Sequence, residues 1–151
     1  MKLLILHPDD FFRSRLVERM RLENHTVLET SLESEASDIL HRDDPDVILL
    51  GATGPSQNRL AFLKTIREVR PYSEVILLTA AEEHSFDGGI KAMQLGAFDD
   101  LLLPIDIQVL ADRIREAHKK RKTRLKDRRR ETTAGKQASR SETRLPGPGD
   151  Q

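Results

Sequence analysis

Short apolar runs alternate along the chain with stretches whose apolar residues recur at helical spacing. Leu3-Leu4-Ile5-Leu6, Val47-Ile48-Leu49-Leu50, Val75-Ile76-Leu77-Leu78 and Leu101-Leu102-Leu103 contain no polar position. Continuous runs of this length predict strands covered on both faces. Thr26-Val27-Leu28-Glu29-Thr30 alternates instead, as an edge strand does. Phe12, Leu16, Val17 and Met20 fall on one face of a helix, with Asp9 or Asp10 as its N-cap. Ala36, Ile39 and Leu40 mark a second helix. Phe62, Leu63 and Ile66 mark a third, which begins near Asn58 and stops before Pro71. Ile90, Met93 and Leu95 predict a fourth, closed by Gly96. Ile107, Leu110, Ala111 and Ile114 predict a fifth, with Asp106 as N-cap just after Pro104.

The order is strand then helix, repeated five times within residues 1–117. With short loops and right-handed crossovers, this alternation predicts an α/β fold, a doubly wound parallel sheet with helices on both faces. In such sheets function gathers at the carboxyl ends of the strands.

Charge divides the chain where the pattern does. The 151 residues carry 25 basic and 25 acidic side chains. Residues 1–117 hold 13 basic and 21 acidic, a net −8, and residues 118–151 hold 12 and 4, a net +8. The second part has too few apolar residues to offset its ordering entropy by burial. Three segments are expected: a domain over 1–117, a basic helical extension over 118–131, and a disordered tail over 132–151. Thr132-Thr133 and Gly135 are read as the end of the helix. Leu125 is the only apolar residue in the outer half of that helix, which predicts no packing onto the domain.

The absence of cysteine excludes disulfides, zinc–thiolate sites and thiol nucleophiles. No apolar run approaches the ~20 residues of a membrane span. Met1–Leu6 is too short for a signal peptide, so a cytoplasmic chain is expected.

The strand ends offer little chemistry. After the first strand come His7, Pro8, Asp9 and Asp10. Paired carboxylates can hold Mg²⁺, and they can equally cap the next helix. Gly51-Ala52-Thr53-Gly54-Pro55 lacks the lysine and glycine spacing of a phosphate loop and reads as a turn. Thr79 places a hydroxyl after the fourth strand, where it can bind an oxyanion or simply end a buried strand. Leu103 is apolar where a polar strand end would suit an active site. His7, His25, His41, His84 and His118 show no ligand spacing. No cofactor is expected.

Over about residues 1–117 the chain resembles the response-regulator receiver domain of two-component signalling. Pro45-Asp46-Val47-Ile48-Leu49-Leu50 with Pro55 resembles that family's third strand and loop. Val75-Ile76-Leu77-Leu78-Thr79-Ala80 resembles its fourth strand. Ala92, Gly96-Ala97, Asp99, Leu101 and Pro104 resemble its A-x-x-x-G-A-x-D-x-L-x-K-P stretch. The resemblance implies a flavodoxin-like (βα)5 sheet of order 2-1-3-4-5. It also shows where this chain departs. The family's acidic pair falls on His7 and Pro8, and its phosphoaccepting aspartate on Gly51. Its lysine falls on Leu103 and its rotating aromatic on Asp100. Asp9, Thr79 and Pro104 are retained positions.

An acyl phosphate needs a carboxylate nucleophile, Mg²⁺ and a cation on the phosphoryl oxygens. Their joint loss implies a pseudo-receiver: a non-enzymatic module that binds protein partners. Through the resemblance, the face of helix four, strand five and helix five is its expected docking or homodimer surface. Two alternatives stay open. Asp9 or Asp10 can serve as an unorthodox phosphoryl acceptor. The basic tail, through Lys119, Lys120, Arg121, Lys122, Arg124, Arg128, Arg129 and Arg130, can contact nucleic acid or another anionic surface.

Overall fold

The structure, a computed structural model, describes residues 1–51 and 56–144. Its strands are β1 (Lys2–Leu6), β2 (Thr26–Thr30), β3 (Val47–Gly51), β4 (Glu74–Ala80) and β5 (Asp99–Leu103). Its helices are α1 (Asp10–Leu22), α2 (Glu33–Arg42), α3 (Ser56–Val69), α4 (Phe86–Gln94) and α5 (Ile107–Arg144), with a 3₁₀ turn over Ala81–Glu83. The strands form one sheet in the order β2-β1-β3-β4-β5, every pairing parallel. This is the flavodoxin-like order. Gly51 is the last residue of β3, paired with Leu78, so its assignment to a turn is corrected. The rest of that expected turn, 52–55, lies outside the described residues.

The continuous apolar runs divide their side chains between two cores, because successive strand residues point to opposite faces. Leu3, Ile5, Val47, Leu49, Ile76 and Leu78 pack on one face against Leu16, Val17 and Met20 of α1 and Leu110, Ala111 and Ile114 of α5. Leu4, Leu6, Ile48, Leu50, Val75 and Leu77 pack on the other against α2, α3 and Ala92 of α4. In α4 the buried residue is Ala92, with Leu95 partly buried just after the helix; Ile90 and Met93 are 42% and 49% exposed. Gly96, at φ +94°, turns the chain out of α4 as expected of a C-terminal glycine.

The chain divides into two units, Met1–Arg121 and Lys122–Gln151. The first runs past the boundary expected at residue 117. Ala117 is fully buried and Arg121 is 5% exposed. The Arg121 guanidinium donates to Asp46 Oδ1 at 3.0 Å and to Asp44 Oδ2 at 2.9 Å. Asp46 also accepts the Lys2 backbone N–H at 2.7 Å, so one carboxylate joins the start of β1 to α5. The expectation that this part of the helix packs on nothing is therefore corrected, and Arg121 leaves the set of cations open to a ligand. Within the second unit, Thr132 and Thr133 do not end the helix. Their hydroxyls donate to the carbonyls of Arg128 and Arg129, four residues back. The helix continues through Gly135 to Arg144, where a disordered tail from 132 was expected; residues 145–151 lie outside the described residues.

Replacing Arg121 by alanine removes two charge-assisted hydrogen bonds from a buried position. Arg121→Ala is expected to lower unfolding free energy by about 2–3 kcal/mol in urea titration. A loss under about 0.5 kcal/mol, the range of neutral surface changes, would refute the anchoring role.

Candidate functional site

The parallel register brings the carboxyl ends of β1, β3, β4 and β5 to one edge of the sheet. His7 follows β1, and its backbone N–H donates to the Thr30 carbonyl at 3.2 Å. Leu6 pairs with Leu50, so the next residues along, His7 and Gly51, are neighbours. The imidazole lies over Gly51 closely enough to fill the space of a side chain. A β-carbon at 51 would stand 2.2 Å from His7 Cδ2 and 3.0 Å from Nε2. The ring is also held from its other sides. Its Nδ1 accepts the Asp9 backbone N–H at 3.0 Å, and Phe12 packs against it with ring centroids 4.6 Å apart. Accepting at Nδ1 requires the proton on Nε2 in the neutral ring. Burial holds the His7 pKa below its ordinary value of 6.5, and the Arg13 guanidinium adds to this against the opposing charge of Asp9.

Asp9 and Asp10 have separate tasks. Asp9 Oδ1 accepts the Phe12 N–H at 2.8 Å and so caps α1. Asp10, with 83% of its side chain exposed, pairs with Arg13 at 2.7 Å. Arg13 also bonds Glu29 at 3.2 Å and the His7 carbonyl at 2.7 Å. Among the described residues, no group of three or more His, Asp or Glu side chains is arranged to hold a metal ion.

Thr79 is 1% exposed, and its hydroxyl donates to Asp100 Oδ1 at 2.6 Å. This bond crosses from β4 to β5 and commits the Thr79 hydroxyl to a carboxylate. Sequence reading named both residues without joining them. The adjacency of their strands, with Thr79 paired to Leu102, was the available signal. Leu103 packs against the α1–α5 core and, with cis-linked Pro104, Ile105 and Ile107, lines a cleft of about 720 Å³ beside His7 and Phe12. Residues 8 and 103 bring no charge to this edge, and residue 51 brings no side chain. The basic residues Lys119, Lys120 and Lys122 are exposed, as are Arg129 and Arg130, while Arg124 is half-buried.

Comparison with known proteins places this edge in context. A family model described as response regulator receiver domain matches residues 3–115. The DNA-binding transcriptional regulator NtrC of Klebsiella pneumoniae is 40% identical over 80 residues, which are 52% of this chain and 17% of that protein. Sporulation initiation phosphotransferase F of Bacillus subtilis is 29% identical over 119 residues, 79% of this chain and 91% of that one. A CheY-like receiver domain protein from Methanospirillum hungatei superposes with a TM-score of 0.75 at 16% identity, covering 82% of this chain and 97% of its own.

Two outcomes follow from the His7–Gly51 contact. Gly51→Ala is expected to destabilise the fold by about 1–3 kcal/mol, as overpacking does. In a double-mutant cycle with His7→Ala, about 1 kcal/mol or more of that loss should be recovered. Additive effects would mean that the ring and the β-carbon do not compete. Because folding holds His7 below 6.5, the unfolded chain takes up more protons as pH falls through that value. Stability is therefore full above about pH 6.5 and declines below it. Thermal melts between pH 7.5 and 5.5 should show this slope, flattened in His7→Gln. His25, also lowered chiefly by burial, accounts for what remains.

Proposed function

The chain belongs to the response regulator receiver domain family, and on that footing we propose a signalling module that acts by binding partner proteins, without phosphoryl transfer at the family's usual position. The observation that carries this reading is the imidazole of His7 seated where a side chain at residue 51 would go. Gly51 supplies no nucleophile. His7 occupies the room in which one would stand, and Leu103 supplies no cation to phosphoryl oxygens. The residues at this edge do not fit Mg²⁺, which asks for several oxygen ligands in near-octahedral array. His7 presents nitrogen and Pro8 nothing, while the Asp9 carboxylate is turned to the α1 N-terminus. Without these groups no charge stabilisation is available to a transferring phosphoryl group.

The partner-binding half of the reading rests on exposed apolar side chains. Phe86, Ile90 and Met93 of α4, Leu102 of β5 and Val109 of α5 are each 42–78% exposed. Apolar surface gathered in this way marks an interaction face. We assign this face to a protein partner or to a second copy of the chain. The cations at Lys119, Lys120, Lys122, Arg129 and Arg130 add a second contact, suited to anionic surfaces and weakly selective because no aromatic residue is interleaved for base stacking. In this reading the chain is not an enzyme. No helix among the described residues is long and apolar enough to cross a membrane.

Incubation with acetyl phosphate and Mg²⁺, followed by intact-mass measurement, should leave the chain unmodified. Stoichiometric addition of one phosphoryl group would overturn the reading, and mapping it to Asp9 or Asp10 would establish the unorthodox acceptor. Gly51→Asp alone should also stay unlabelled, because His7 still fills the site.

A further inference from the structure

Beside the apolar face lies a cavity of about 620 Å³, lined in part by His84, Phe86, Gly89, Ile90, Asp99 and Asp100. Its floor is acidic. Asp99 is neutralised by Arg113, whose guanidinium lies 2.7 Å from Asp99 Oδ2. Asp100 gives Oδ1 to the Thr79 hydroxyl, while Oδ2 faces α4. A β-carbon at Gly89 would stand 3.6 Å from that oxygen and 3.8 Å from His84 Nε2, so carboxylate and imidazole flank one spot. The acidic residues Glu82, Glu83 and Asp87 surround the entrance to α4 and deepen the negative field. Phe86, Ile90 and Met93 are 78%, 42% and 49% exposed and supply apolar flanks.

The two glycines of α4 separate fold from function. Gly88 has a local reason: its N–H meets the capping Ser85 hydroxyl oxygen, and a β-carbon there would come within 2.7 Å of that oxygen. Gly89 has none, since a β-carbon would make only ordinary contacts. Glycine inside a helix is a poorer choice than alanine. What its small size provides here is access to Asp100. A partly desolvated carboxylate between apolar walls suits a cation with apolar neighbours, and the planar fork of a guanidinium meets a carboxylate better than an ammonium does.

We propose that this cavity receives an arginine side chain from a basic segment of a partner protein, its guanidinium on Asp100 and its flanking apolar residues on Phe86, Ile90 and Met93. This deepens the partner-binding reading above and rests on it.

The test titrates acetyl-Leu-Arg-Phe-amide into the full chain and follows backbone amide NMR shifts. Citrulline in place of arginine serves as the neutral isostere. Saturable shifts confined to residues 84–100 are expected, with binding at least tenfold weaker for the citrulline peptide. Asp100→Asn should weaken arginine-peptide binding by at least tenfold, as should Gly89→Leu, which fills the cavity. Gly89→Ala, whose β-carbon would stand 3.6 Å from Asp100 Oδ2, should bind more weakly than the parent and more tightly than Gly89→Leu. Equal binding of the two peptides, or unchanged binding by both Asp100→Asn and Gly89→Leu, would overturn the proposal. Self-association of the full chain that Asp100→Asn abolishes would overturn the assignment to a partner protein in favour of a second copy. A chain that accepts phosphoryl from acetyl phosphate and still binds the arginine peptide would sink the phosphorylation-independent reading and leave this cavity standing. An unlabelled chain that ignores the peptide would do the reverse.

Discussion

A parallel sheet must be covered on both faces, because its central strands carry apolar side chains in both directions. Leu3 through Leu6 illustrate the requirement: alternate residues enter different cores, and all are nearly inaccessible to water. Helices on both faces follow, and so does the return of every strand in the same direction. That common direction puts the ends of β1, β3, β4 and β5 side by side. His7 meets Gly51, and Thr79 meets Asp100, only because the sheet is built in this way.

At the edge so formed His7, Gly51 and Leu103 bring no carboxylate and no lysine. The carboxylates nearby are engaged: Asp9 in a cap, Asp10 with Arg13, Asp99 with Arg113, and Asp100 with Thr79. At the opposite edge, Asp44 and Asp46 fix Arg121. Acidic groups therefore serve mostly to hold elements in place, and Asp100 is distinguished by an oxygen turned toward a cavity.

Much of this architecture was legible in the sequence. The apolar runs of β1, β3 and β4 are strands buried on both faces, whereas the Leu101–Leu103 run, expected to be covered likewise, lies in edge strand β5 with Leu102 45% exposed; crossover handedness limits how the strands are joined. The Asp106 cap and the Gly96 stop also stood where local chemistry put them. Other features left no local trace. Arg121 reads as one more cation in a basic run, since its partners lie 75 and 77 residues away. Ile90 and Met93 mark α4 by their spacing and stand exposed on it, whereas the residue it buries fully is Ala92, which no apolar periodicity singles out. Thr132 and Thr133 looked like a helix end, yet threonine hydroxyls can return to carbonyls one turn back. At the site, the residues were visible singly and their pairing was not. His7 and Gly51 stand 44 positions apart in the chain, and strand register makes them one contact.

The overlap between that imidazole and a β-carbon constrains which substitutions the edge can accept. Any side chain installed at position 51 while the ring remains meets a steric penalty at once, before it can do anything useful. A side chain at position 51 therefore requires a change at position 7, so the two positions behave as one packing unit. Close packing at the strand ends thus works as an interlock, in which neither position can be enlarged without the other giving way.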